Sequence, residues 1–311
     1  MIKLNKITFY ATNILRGLVP SIVYQSKLKL WLKKEKSINQ EAFQERLNYY
    51  ITTSTNSSPK NNWVSLKDFK KPKKGSAYYY DLLRISKYFP RNKKINFKFG
   101  DVTEIFEEPT LVKSRPIQHN GNSVIMKLNA IRHFNFIEDK LAFKDKKDLI
   151  VWRGEVHKES RKLLVSMFYN HPECNIGDVK VKKDFIPEWQ KEFLSPEQQM
   201  EYKFIVSIEG NDVASNLKWI MNSNSLCFMP KPKFETWFME GKLIPGYHYV
   251  LIKDDYSDLL EKKNFYLNNP EKALEIITNA QAWTAQFKDE RLEKKLSISV
   301  LNQFFEQTNQ N

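Results

Sequence analysis

The sequence is poor in cysteine. Cys174 and Cys227 are its two cysteines in 311 residues, and neither belongs to a CxxC or to a Cys/His pair at ligand spacing, so neither a disulfide framework nor a structural zinc site is expected. This usage fits a reducing cytosol. Long apolar runs are missing too. No stretch reaches the length of a membrane span, and no compact apolar segment followed by a small-residue cleavage site opens the chain, so the protein is expected to be neither exported nor integral. GxGxxG, GxxxxGK[ST] and HExxH are absent, which removes the usual signatures of a bound dinucleotide, a Mg-bound triphosphate and a zinc peptidase. Zinc-finger, RNP-like and basic-zipper patterns are missing as well, as are internal repeats.

What remains is a globular composition, 41% hydrophobic and 14% aromatic, enough for one large core or two ordinary ones, with two expected. The net charge of +14 is unevenly placed: residues 1–100 hold 21 Lys and Arg against 5 Asp and Glu, and the rest of the chain is close to balanced. Lys27-Leu-Lys-Leu-Trp-Leu-Lys-Lys34 and Lys67-Asp-Phe-Lys-Lys-Pro-Lys-Lys74 interleave cations with apolar residues. Such runs suit an anionic membrane surface or a polyanion, and equally an ordinary solvated face.

Residues 9–34 read as an amphipathic helix interrupted at Pro20, Glu41–Tyr50 and Tyr78–Tyr88 as further helices, and Ile95–Phe99 as a strand ending at Gly100-Asp101. Asn56–Asn62 reads as a loop, and His119 falls in another. From Asp148 the grammar is strand, loop, helix: strand 148–154 with helix 158–169, strand 202–208 with helix 213–222, strand 225–229, and strand 249–252 before a helix led by Ser257-Asp258. The chain is helical from Glu271 almost to its end. Alternating strands and helices predict an α/β fold with parallel sheets, whose ligands bind where strand carboxyl ends meet the following loops.

Several short motifs sit at such ends. Arg153 and Gly154 close the strand 148–154 and Arg161 lies in the next helix, so both guanidinium groups could converge on an anion such as a diphosphate; separate salt bridges would satisfy the same spacing. Glu209-Gly-Asn-Asp212 follows a strand and Ser215 stands near a helix start, where backbone N–H groups favour an anionic or hydroxyl-rich ligand. A plain connection capped by Asp212 reads equally from these residues. Asp101, directly after a glycine at a strand tip, is placed to act as a general base or simply to cap a turn. His133 and His248 stand beside aromatics without ligand spacing, so no metal is expected.

Taken in order, Phe99-Gly-Asp101, Lys113-Ser-Arg-Pro-Ile117, Arg132-His-Phe134, Val151-Trp-Arg-Gly154 with Arg161, Tyr202-Lys-Phe through Glu209-Gly-Asn-Asp-Val-Ala-Ser-Asn-Leu-Lys218, and His248-Tyr249 resemble glycosyltransferase family 90. That family includes the Rumi-related protein O-glucosyltransferases, fungal capsule xylosyltransferases and bacterial lipopolysaccharide core transferases. The likeness is greatest to the bacterial enzymes and covers roughly residues 75 to 290. It implies a GT-B arrangement of two Rossmann-like domains facing across a cleft, the final helix returning to the first. The expected division is a basic helical region 1–74, an acceptor-side domain 75–147 and a donor domain 148–311.

The resemblance also implies an inverting, metal-independent transfer of a hexose, glucose or galactose, from a UDP-sugar, with no cofactor. Asp101 matches the carboxylate that deprotonates the acceptor. Arg153, Gly154 and Arg161 match the arginine motif facing the departing diphosphate. Glu209, Gly210, Ser215, Lys218, His248 and Tyr249 match donor-side positions, and Lys113, Ser114, Arg115, Arg132 and His133 fall on the acceptor or cleft side. Asn216 departs from the pattern near where eukaryotic members carry an arginine, so either Lys218 or Arg115 compensates or the leaving group is handled differently. The expected acceptor is a lipopolysaccharide core or related surface glycan, and the expected location is cytoplasmic, peripheral on the inner face of the cytoplasmic membrane. Nucleic acid is not an expected partner. Two rivals remain: a non-catalytic module that grips polyanions through residues 1–100, and an enzyme acting on protein serine, which the absence of export signals disfavours.

Overall fold

The computed structural model describes residues 6–51, 58–118, 121–180 and 186–310; His119 and the first two residues of the loop predicted at 56–62 lie outside them. The chain divides into two compact units, residues 2–132 with 233–239 and 289–311, and residues 133–232 with 240–288. The second unit therefore starts at His133 rather than at Asp148, and the last helix is counted with the first unit.

In the first unit the basic N-terminal stretch forms α1 (Lys6–Leu18), α2 (Ser21–Gln25) and α3 (Leu28–Leu32). Pro20, lacking an N–H and fixed in φ, separates α1 from α2 as the sequence predicts. Helix α4 (Gln40–Tyr50) begins where the Asn39 side chain accepts from the Glu41 and Ala42 N–H groups. Then come β1 (Val64–Ser65), α5 (Ser76–Ser86), β2 (Lys94–Ile95) and β3 (Phe97–Lys98). The single strand expected over 95–99 is split: Ile95 pairs antiparallel with Val64, whereas Phe97 pairs parallel with Leu111. Asn96, between them, accepts from Leu111 N and donates from its amide to Thr110 Oγ1. The parallel sheet has the order β3, β4 (Thr110–Val112), β6 (Ser123–Ile125). A separate antiparallel pair joins β5 (Ser114–Pro116) to β11 (Phe234–Thr236). A short α6 (Ala130–His133) and the long α12 (Glu290–Gln307) complete the helices counted with this unit, α6 at its edge.

The second unit is built on five parallel strands in the order β12 (Val250–Leu251), β10 (Leu226–Met229), β9 (Tyr202–Val206), β7 (Lys147–Gly154), β8 (Cys174–Asp178). One sheet face contributes Ile150, Trp152, Phe204, Val206, Leu226 and Phe228 to a core completed by α7 (Glu159–Phe168), α10 (Leu259–Asn268) and α11 (Pro270–Ala285). Each fully buried side chain of this size stabilises the fold by roughly 1.5–3 kcal/mol relative to exposure. Two short helices, α8 (Pro196–Gln199) and α9 (Leu217–Asn222), lie before and after β9. The sequence predicts α9 from 213, but it starts at Leu217. Asn216 explains the delay: its amide donates to the Val206 carbonyl and its Oδ1 accepts from Ser207 Oγ, which ties the loop back to its strand before the helix can begin.

Candidate active site

In the first unit, Asp101 follows β3 and Gly100, whose φ of 109° is open to glycine alone without strain. Its carboxylate is 32% exposed and accepts from Lys113 Nζ at 2.8 Å, while the Lys113 side chain is only 2% exposed. Lys113 leaves the end of β4 and also lies 6.0 Å from the Tyr78 ring centroid. A buried cation thus holds one oxygen of a carboxylate that remains open to solvent, an arrangement that fixes its orientation while leaving it able to take a proton. Ser114 is fully buried, and its Oγ accepts from the Val102 N–H at 3.3 Å, anchoring the residue after Asp101. Arg115 turns away from this point. It is fully buried, donating to Glu235 at 2.8 Å and to the carbonyls of Ser123 and Tyr49. Arg132 is exposed; His133, the first residue of the other unit, is buried.

In the second unit Arg153, Gly154, Arg161, Glu209 and Gly210, of the expected donor residues, lie at or just beyond the carboxyl ends of β7 and β9, whereas Lys218 is within α9 and His248 and Tyr249 precede β12. Arg161, from the first turn of α7, donates to the carbonyls of Glu209, Glu155 and Ile208, each at 3.1 Å, and lies 5.7 Å from the Trp152 ring centroid. It therefore ties the loop after β7 to the loop after β9. Gly210 packs close beside it: a Cβ there would stand 3.1 Å from Arg161 Nη2, so the guanidinium would have to give by a few tenths of an ångström. At Gly154 the fit is closer: a Cβ would fall 2.5 Å from the Trp152 ring, which folds over it. Arg153 does not join Arg161. It donates to Asn175 Oδ1 and the Asn175 carbonyl on β8, to the carbonyl of its neighbour Trp152, and to that of Glu192. The two guanidinium groups meet only at Trp152, Arg161 over its ring and Arg153 at its carbonyl, and share no hydrogen-bond acceptor among these contacts.

Ser215 lies in the turn before α9, and Asp212 is buried in the same loop rather than standing at the helix start. Lys218 is fully buried and ion-paired with Glu240, itself 1% exposed, so the pair adds no net charge beside the loop. His248 is buried, and its Nδ1 accepts from the Ile244 N–H at 2.9 Å, which places the proton of the neutral ring on Nε2. Burial lowers its pKa, keeping the ring neutral, and the Trp283 ring lies tilted against it with centroids 5.1 Å apart. Tyr249 is fully buried; its hydroxyl has no hydrogen-bond partner, and burial pushes its pKa up to about 12. Among the described residues no group of three or more His, Cys, Asp or Glu side chains could hold a metal ion, and no helix is long and apolar enough to cross a membrane.

Residues 126–297 match the family model described as glycosyl transferase family 90. Over 313 aligned residues, 97% of this chain and 95% of the relative, the sequence is 40% identical to the O-glucosyltransferase LpsA of Dichelobacter nodosus. The chain belongs to glycosyltransferase family 90. Shorter likenesses reach protein O-glucosyltransferase 3 of Homo sapiens, 28% identical over 144 residues that make 44% of this chain and 28% of the relative, and the uncharacterized protein 179R of Invertebrate iridescent virus 6, 36% identical over 94 residues, 28% of this chain and 8% of the relative.

Membership in family 90 makes the chain a glycosyltransferase and sets aside the reading as a non-catalytic polyanion binder. The matched span contains Arg153, Arg161 and the 209–218 loop but begins after Asp101 and Lys113. Residues that hold the sequence-predicted positions without being foreseen are Asn175, which holds Arg153, and Glu240, which neutralises Lys218, in the second unit, and Glu235, which holds Arg115 and accepts from the Tyr49 hydroxyl, in the first. A carboxylate or amide destined for burial carries no local signal, because its spacing looks the same as that of a surface residue.

Proposed function

We propose that this glycosyltransferase moves a hexose, glucose or galactose, from a UDP-sugar to a lipopolysaccharide core or related surface glycan, with inversion and without a metal, its two α/β units working as the acceptor and donor halves of a GT-B enzyme in the cytoplasm at the inner face of the cytoplasmic membrane. The observation that carries this reading is Asp101: an exposed carboxylate at a strand tip, held on one oxygen by buried Lys113 at 2.8 Å, in a family 90 chain. In the proposed step Asp101 takes the proton of the acceptor hydroxyl as its oxygen bonds to the anomeric carbon. The bond from that carbon to the diphosphate breaks, and UDP leaves with the electron pair. Arg161 and the 208–210 loop that it braces would face the growing negative charge, an electrostatic contribution that needs no metal. Since Lys218 and Arg115 are both buried and paired, the loop backbone, rather than either of them, stands in for the arginine absent at Asn216.

The test is Asp101→Asn, which should lower transfer by roughly 10²–10⁴-fold while UDP still raises the melting temperature, with or without chelator. Transfer retained by the variant removes Asp101 as the base; no saturable UDP binding by the wild type sinks the donor assignment.

A further inference from the structure

Helix α1 turns its apolar residues outward. Ile7, Ala11, Ile14, Leu15 and Leu18 fall within an arc of about 100° on the helical wheel. The exposures are 74% for Ile7, 53% for Ile14, 64% for Leu15 and 76% for Leu18. The opposite face carries Phe9 and Asn13, which are buried, and Phe9 meets the Tyr80 ring of α5 edge-on. Helix α2 continues the outward stripe with Ile22 and Val23. Isolated exposed apolar side chains need no explanation, but a continuous run along two successive helices does. The stripe is also held firmly: Lys87 of the α5 end donates to the carbonyls of Arg16, Gly17 and Val19, where α1 stops.

The surroundings are cationic throughout. No Asp or Glu precedes Glu35, while Lys6 and Arg16 lie on α1 and Lys27 and Lys29 follow α2. Beside the stripe, a cleft of about 490 Å³ is lined by Asn13, Gly17, Lys67, Lys71, Tyr80 and Arg91 among others. Lys71 lies 5.9 Å from the Tyr80 ring centroid, and Lys67 and Arg91 bring further charge to the same wall. We infer that this face of the first unit lies on an anionic lipid bilayer, the α1–α2 stripe entering the boundary between headgroups and acyl chains and the cleft cations facing lipid phosphates. A second copy of the chain is the poorer occupant, since pairing the stripe with itself would bring one acid-free cationic surround against another. The surface differs from the Leu28–Leu32 patch expected from sequence, where Trp31 instead packs edge-on against Tyr88. It sharpens the location given in the transferase proposal and rests on that reading only for its purpose, because binding to lipid needs no donor.

The test is co-sedimentation of the full-length protein with vesicles of phosphatidylcholine alone and of phosphatidylcholine mixed with phosphatidylglycerol. Saturable binding to the anionic vesicles, weakening as salt is raised, is expected. Ile14→Asp combined with Leu18→Asp should lower that binding at least roughly tenfold at unchanged melting temperature and unchanged UDP release on a soluble acceptor. Lys67→Glu combined with Lys71→Glu should remove the preference for anionic lipid. The inference is overturned if the wild type ignores anionic vesicles, if the Ile14/Leu18 variant binds them equally well, or if light scattering shows a wild-type dimer that this variant dissociates in the absence of lipid binding. Vesicle binding without UDP release would uphold the surface and count against the transferase proposal alone.

Discussion

Asp81 on α5 is buried, with its carboxylate accepting the Ala130 N–H at 2.9 Å. Burial raises its pKa from 3.8 to about 6, against the opposing pull of Arg84, the backbone bonds and Lys127. Because the folded-state value lies above the unfolded one, the protonated group favours folding below pH 3.8, and that contribution is lost as pH rises through about 6. The difference amounts to about 3 kcal/mol. Asp81→Asn, which cannot ionise, should therefore gain stability relative to the wild type between acidic and neutral pH. Urea unfolding at both ends of that window checks it, and an offset that is the same at both ends would refute it. At this scale Asp101 was readable from sequence, since a Gly-Asp step after an alternating stretch is a local pattern. Arg115, Lys218 and Arg153 were readable as cations but not as paired ones, the first two buried: their partners Glu235, Glu240 and Asn175 lie 120, 22 and 22 residues away.

The element that organises this edge of the second unit is β7, whose Trp152 faces the core while its ring shields Gly154 and supports Arg161. Gly154→Ala puts a methyl group into that ring and should cost about 1–3 kcal/mol. Displacing Trp152 also loosens Arg161 and the carbonyls that it gathers, so UDP should bind more weakly in the same variant. Calorimetric titration together with thermal unfolding reads both effects, and a variant with wild-type melting and UDP affinity would show that the ring has room to move. Four strands of this sheet, β7, β9, β10 and β12, were legible from their apolar runs, but β8 was not, because Cys174-Asn-Ile-Gly-Asp178 has too few apolar residues to make such a run. The split between β2 and β3 was not legible either, since two residues cannot declare which of two sheets they join. The late start of α9 was hidden for a similar reason: Asn216 is tied to Val206 and Ser207 by contacts that its place in the sequence does not announce.

Across the whole first unit, Glu293 of α12 is a meeting point. Its 3%-exposed carboxylate accepts from Arg46 of α4, Lys127 and the Trp237 indole, each at 2.7 Å, and Trp237 stacks on Tyr50 at 3.9 Å. Segments from four distant parts of the chain are thus joined at one charge. Glu293→Gln keeps the shape but leaves Arg46 and Lys127 without their counter-charge, and should destabilise the protein by about 3–5 kcal/mol in urea unfolding. A loss below about 1 kcal/mol would mean that the pairing only offsets its own desolvation. By itself the sequence determined the α/β class, the helix break at Pro20, the strand-loop-helix order that puts Arg161 and the 209–216 loop at the edge of a sheet, and the concentration of charge in residues 1–100. These depend on periodicity, on proline's missing N–H and on composition, all of which are local. Tertiary structure alone decided which cations are neutralised inside, which carboxylate stays open beside a buried lysine, and that the α1 stripe faces outward, because burial and pairing belong to residues brought together from far apart in the chain.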